Sequence, residues 1–138
     1  MLINKIYLLS TMFAFLPMWS YAQKITLGAC TTKDGGAYKG EMQAGKPHGK
    51  GTAVYKNGDT YEGQYVKGKR QGQGIYSFSD GEKYEGEWFQ DQQHGLGTYY
   101  FMNNNRYDGM WYADYQEGEG TITSMSDCGF ATISKATA

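Results

Sequence analysis

The sequence predicts an all-β chain built from four copies of a 23-residue β-hairpin unit. Three observations carry that prediction. Tyr38, Tyr61, Tyr84 and Tyr107 stand 23 residues apart, each followed two positions later by a glycine: Gly40, Gly63, Gly86 and Gly109. Large side chains alternate with polar ones, as in Tyr84-Glu85-Gly86-Glu87-Trp88, which is the period of a strand. Turn residues close the units at Asn57-Gly58, Asp80-Gly81 and Asn103-Asn104. A fixed period of this length marks supersecondary units that bury their faces only by stacking.

The chain opens on residues 1–22, which read as an export signal. Lys5 supplies the positive start, Ile6 to Leu16 the apolar stretch, Pro17 the break, and Ser20-Tyr21-Ala22 a small-x-small cleavage site. An uncleaved anchor is the rival, but Ser10, Thr11 and Pro17 interrupt a run already short for a spanning helix of about 20 residues. A periplasmic, outer-surface or secreted location is therefore expected. Residues 23–37 form a partial leading unit ending on Asp34-Gly35, residues 38–127 the four repeats, and residues 128–138 a tail. Without the signal the chain carries 12 basic residues (13 less Lys5) and 14 acidic ones. That balance excludes a strongly basic nucleic-acid binder.

Each unit has the same anatomy. Four residues after the tyrosine comes a large side chain (Met42, Tyr65, Trp88, Trp111), then a G-x-G pair: Gly49/Gly51, Gly72/Gly74, Gly95/Gly97 and Gly118/Gly120. Tyr55, Phe78 and Phe101 take the next aromatic position. A two-residue turn at Asn57-Gly58 would put Tyr55 and Tyr61 on opposite faces. A three-residue loop Lys56-Asn57-Gly58, with Gly58 left-handed, pairs Ala53 with Tyr61 and gathers Ala53, Tyr55, Tyr61, Gly63 and Tyr65 on one face. The second register is expected, because burying one face is what fixes a register. Gly63, Gly86 and Gly109 should leave room for rings from the neighbouring strand. Lys39/Glu41, Glu62/Gln64 and Glu85/Glu87 then form a solvated face. The last unit decays, with Ser124 in place of the aromatic and Asp127 in place of the turn glycine, as in a terminal copy facing solvent.

The pattern seen complete from Tyr61 through Gly63, Tyr65, Gly68 and Gly72 to Gly74 resembles the MORN (membrane occupation and recognition nexus) repeat, and the resemblance runs from Tyr38 to about Asp127. Met42, Asp91 and Asp114 depart from it. The resemblance implies an elongated single-layer antiparallel sheet used as a scaffold, spacer or dimerisation element, with phospholipid binding often proposed and no catalytic activity.

The residues themselves offer little chemistry. The G-x-G pairs neither continue to G-K-[ST] nor open a helix, so they read as turns rather than phosphate loops. His48 and His94 share one phase two units apart, about 20 Å at two strands per unit, too far for one metal ion. They read as loop histidines. Glu85 and Glu87 share a face but lack an apolar pocket to separate their pKa values. No nucleophile–base arrangement stands out, and neither a cofactor nor a metal is expected. A small secreted hydrolase is the disfavoured rival. Tyr61, Tyr65, Tyr84, Trp88, Tyr107 and Trp111 are either the core ladder or, where a single layer leaves them exposed, a binding face for glycans, a helix or a second copy. Charge divides the chain: residues 23–79 carry nine basic and four acidic side chains, residues 80–127 two and ten. Lys46, Lys50, Lys67, Lys69 and Arg70 are candidates for contact with an anionic membrane surface. Pairing of the basic end with the acidic end of a second copy, in an antiparallel dimer, is the other reading. Cys30 and Cys128 lie just over four units apart, too far for a disulfide within one chain.

Overall fold

The computed structural model describes residues 24–126 and 129–137, with side chains described through residue 124; residues 1–22, where an export signal is expected, and Cys128 lie outside the described residues. Ten strands follow one another: β1 (Thr26–Thr31), β2 (Ala37–Gln43), β3 (Lys46–Val54), β4 (Thr60–Val66), β5 (Lys69–Ser77), β6 (Lys83–Phe89), β7 (Gln92–Tyr100), β8 (Arg106–Tyr112), β9 (Tyr115–Ser126) and β10 (Gly129–Thr137). Each pairs antiparallel with the next, giving a single open sheet in sequence order, with no helix among the described residues. Strand follows strand because the connections from β1 to β9 are short turns, the arrangement that antiparallel hairpins permit.

The two loops of a unit use different turn chemistry. At Lys56-Asn57-Gly58 the Tyr55 amide donates to the Asp59 carbonyl, the Gly58 amide donates to the Tyr55 carbonyl, and Gly58 sits at φ 91°. Ala53 pairs with Tyr61, as the sequence predicts. Gly81 and Asn104 repeat the left-handed residue at φ 101° and 63°. Asn tolerates that region through its short polar side chain. The other loops hold two consecutive left-handed residues: Ala44-Gly45, Lys67-Gly68, Gln90-Asp91 and Ala113-Asp114. This is the turn whose twist matches flanking strands.

Asp91 and Asp114 depart from glycine for a visible reason. In the last three of these turns the amide of the second residue donates to a strand in the previous unit: Gly68 to the Pro47 carbonyl, Asp91 to that of Arg70, Asp114 to that of Gln93. The Asp91 and Asp114 carboxylates accept the amides of Arg70 and Gln93 in return, at 2.8 and 2.7 Å. Pro47 has no amide to satisfy, and there the turn residue is glycine.

A row of nine glycines crosses the sheet: Gly28, Gly40, Gly51, Gly63, Gly74, Gly86, Gly97, Gly109 and Gly120 pair in succession. Over Gly63, Gly86 and Gly109 the ring comes from the same strand, not from the neighbour as the sequence reading expects, and it reaches across to the paired glycine of the next strand. Tyr61 lies over Gly63 and its partner Gly74, so that a Cβ on Gly74 would stand 2.2 Å from the Tyr61 hydroxyl oxygen. Tyr38, Tyr84 and Tyr107 do the same over their own glycine pairs. Laid flat, Tyr38, Tyr61 and Tyr84 donate their hydroxyls to the carbonyls of Glu41, Gln64 and Glu87 at 2.6, 3.1 and 2.9 Å. These acceptors stand beside the register shifts of the sheet.

The first glycine of each G-x-G pair makes that shift. The pairs do not form turns; they lie inside β3, β5, β7 and β9. Gly49, Gly72, Gly95 and Gly118 take φ between 60° and 90°, a glycine bulge. Two further corrections follow from the strands. His48 and His94 belong to β3 and β7 rather than to loops. The terminal copy does not end on solvent either: β9 pairs with β10, Ser126 opposite Gly129, since backbone pairing asks for no aromatic side chain.

Candidate functional site

The two faces of the sheet have separate roles. On one, Tyr38, Tyr61, Tyr65, Tyr84, Trp88, Tyr107 and Trp111 form a continuous core. The rings meet edge to face at centroid distances of 4.9–5.7 Å, as in Tyr38–Tyr65, Tyr61–Trp88 and Tyr107–Trp111. This geometry places a positive ring edge on a negative face. Trp88 and Trp111 donate their indole N–H groups to the Gly74 and Gly97 carbonyls, each at 3.2 Å. Burial pushes the Tyr38 and Tyr55 phenols up to about 12, and raises Tyr61, Tyr65, Tyr76, Tyr84, Tyr99 and Tyr107 as well. The candidate binding-face residues Tyr61, Tyr65, Tyr84, Trp88, Tyr107 and Trp111 are thus at most 5% exposed. They are core, so the accessible binding surface lies elsewhere.

Arg70 moves out of the anionic-contact set for a related reason. Its side chain is only 13% exposed. The guanidinium lies 4.5 Å from the Trp88 ring centroid, pairs with Asp91 at 3.4 Å and reaches Asp34 at 3.8 Å. Lys46, Lys50, Lys67 and Lys69 are exposed. Asp59 is buried too; burial alone would raise its carboxyl, but hydrogen bonds from the Tyr76 hydroxyl, the Ser79 amide and Asn57 outweigh it and hold the group below its ordinary value.

The opposite face is not uniformly solvated. Phe89, Leu96, Met110, Tyr112 and Tyr115 are 43–77% exposed there. Strand alternation puts them opposite the core, as the pairs Leu96–Met110 and Tyr112–Tyr115 show. His94 bridges two of these rings, its centroid 5.5 Å from Phe89 and 5.3 Å from Tyr112. A shallow groove of about 860 Å³ runs along this face, lined among others by Leu96, Met110, Glu85, Glu87, Asp108 and Glu119. Sequence reasoning missed this patch. The signal was Val66, Phe89 and Tyr112, apolar at one repeat position on the polar phase of the strand. Among the described residues no group of three or more His, Cys, Asp or Glu is placed to hold a metal ion.

A sheet of repeated hairpins, each register-locked to the next and each burying its rings only against its neighbours, defines a one-dimensional repeat protein. The MORN repeat model matches residues 38–60, 61–83, 84–106 and 107–128, in phase with the tyrosine period, and the chain belongs to the MORN repeat family. That family is generally non-catalytic, and its repeats commonly mediate protein or membrane-lipid interactions. No curated protein matches the chain.

Proposed function

We propose that the chain is an exported, non-catalytic interaction module whose outer face, over the third and fourth repeats, binds another protein. One observation carries this reading: an exposed apolar patch of Phe89, Leu96, Met110, Tyr112 and Tyr115, edged by Glu85, Glu87, Asp108 and Glu119. Contiguous exposed apolar surface with a polar rim marks an interaction site. The acidic rim suits a partner with basic residues. A second copy offers them, since Lys39 and Lys50 lie on the same face of the first repeat. The experiment compares capture by the mature chain with capture by a Leu96→Glu/Tyr112→Glu variant, from the native envelope or medium. Loss of the partner in the variant, with unchanged thermal unfolding, supports the reading; identical capture by both overturns it.

A second reading rests on the exposed Lys46, Lys50, Lys67 and Lys69, which suit an anionic lipid surface. Co-sedimentation with anionic vesicles that falls as salt rises supports it, and no co-sedimentation at low salt removes it.

A further inference from the structure

The two ends of the sheet differ. β10 carries devices that keep a free edge from pairing: a register shift between Ile133 and Ala136, with Lys135 inside it. β1 carries neither. It pairs with β2 in one unbroken register, Thr26 opposite Met42 through Thr31 opposite Ala37. From Ile25 to Thr32 the chain holds no charged residue and no proline. β1 stands first in the strand order, so among the described residues nothing pairs with its outer edge. Such an edge presents a row of main-chain donors and acceptors. Leu27 is 85% and Ile25 52% exposed beside it.

The core is open at this end as well. Cys30 and Met42 pack against the ring cluster but are only partly buried. Tyr65, Trp88 and Trp111, which hold the place of Met42 in the later units, are at most 5% exposed. Met42 lies over Gly28, where a Cβ would stand 2.5 Å from the methionine sulfur. Units of a one-dimensional repeat bury their faces against neighbours on both sides, and β1 lacks one of the two. A flexible thioether suits a surface that a second body completes.

We propose that β1 of a second copy covers this edge, antiparallel about a two-fold axis, and joins the two sheets into one. The glycine row sets the register. Gly28 heads that row, paired with Gly40, and Gly28 opposite the partner's Gly28 carries the row across the seam. Leu27 then stands opposite the partner's Ala29, and Thr26 opposite the partner's Cys30. Directly opposed residues of an antiparallel pair share a face. Both core faces therefore fall on one side, and Met42 of each copy meets the other over the glycines at the seam. The contact uses the same strand twice, so it closes on a dimer rather than growing into a fibre. It is a different contact from the pairing of basic with acidic halves, because here Lys24, Lys33 and Lys39 of both copies flank one seam.

Sedimentation equilibrium of the mature chain, under reducing conditions that remove disulfide-linked species, is the test. At about 100 μM the mass should be that of two chains, as a micromolar association gives. Leu27→Lys/Ala29→Lys sets like charges opposite each other at two places and should raise the dissociation constant about tenfold or more. Leu27→Lys/Ala29→Glu sets opposite charges there in the glycine register and should leave the constant within about threefold. Both side chains are exposed, so near-UV circular dichroism should be unchanged in either variant. Leu96→Glu/Tyr112→Glu should leave the dimer intact, since the outer patch is not part of the seam. Added salt should tighten the dimer by screening the lysines that flank it, where pairing of basic with acidic halves would loosen. A monomer at this concentration overturns the proposal, as does a dimer unmoved by the double-lysine variant, weakened by salt, or lost in Leu96→Glu/Tyr112→Glu. Equal losses in the two Leu27/Ala29 variants overturn the register.

Discussion

Replacing Gly74 with alanine tests the glycine row in the middle of the sheet. The new Cβ would lie 2.2 Å from the Tyr61 hydroxyl oxygen, 2.5 Å from Cζ and 2.6 Å from Cε2. Tyr61 has nowhere to retreat: it is fully buried, with Tyr65 and Trp88 edge-on at 5.2 and 5.3 Å. Over-packing of a rigid ring costs about 3 kcal/mol, the upper end of such insertions. The freedom that alanine removes from the unfolded chain returns about 0.5–1 kcal/mol, so a net loss of about 2–2.5 kcal/mol is expected in urea unfolding. Tyr61→Ala alone should cost about 3–5 kcal/mol. In that background the atoms nearest to the new methyl are gone, and Gly74→Ala should be neutral or slightly stabilising. The double-mutant cycle should therefore return a coupling of about 2–3 kcal/mol between the two positions. Additive losses, with Gly74→Ala costing the same in both backgrounds, would refute the account of tyrosine rings lying on the glycine row.

Other outcomes follow from the same core. Trp88→Ala should cost about 3–5 kcal/mol, while Glu85→Ala on the outer face stays within about 0.5 kcal/mol by urea titration. Asp59 has a lowered carboxyl pKa, so its contribution is present above the ordinary carboxylate value of about 4 and disappears as pH falls through the lower folded value. Acid titration of Asp59→Asn should lack that loss of stability. The buried phenols shift the other way. Their contribution is complete below the ordinary value of about 10 and is lost as pH rises toward the folded value of about 12 for Tyr38 and Tyr55. Phenolate absorbance should appear together with unfolding, and an independent titration near pH 10 for most tyrosines would contradict their burial. Cys30 lies on the edge strand β1, whereas the residues flanking Cys128, Asp127 aside, pair in the hairpin at the other end of the strand order. Non-reducing gels should show no intramolecular Cys30–Cys128 species.

The period, the strands and the face carrying Ala53, Tyr55, Tyr61 and Tyr65 were legible because a one-residue slip would turn every ring to solvent. The left-handed turn residues were legible because glycine and asparagine are the side chains that tolerate them. Other features were hidden for physical reasons. A G-x-G pair reads alike in a turn and in a bulge, and only the partner strand, where Glu41 or Gln64 stands opposite three residues, decides between them. Arg70 reads as part of a basic loop until the strands bring Trp88 and Asp91 beneath it. The outer patch was obscured because Phe89, Leu96 and Tyr112 sit among charged residues on the polar phase. Pairing across β6, β7 and β8 is what gathers them.

A photo-crosslinking residue placed in turn at Leu96, Met110 and, as a control, the exposed loop residue Lys33 gives the most direct test of the outer face as the interaction surface. Irradiation of the protein in its native host should give one discrete adduct from positions 96 and 110 and none from position 33. An adduct of twice the chain mass would identify a second copy as the partner. No adduct at 96 or 110, or the same adduct at all three positions, would contradict the assignment of function to this face.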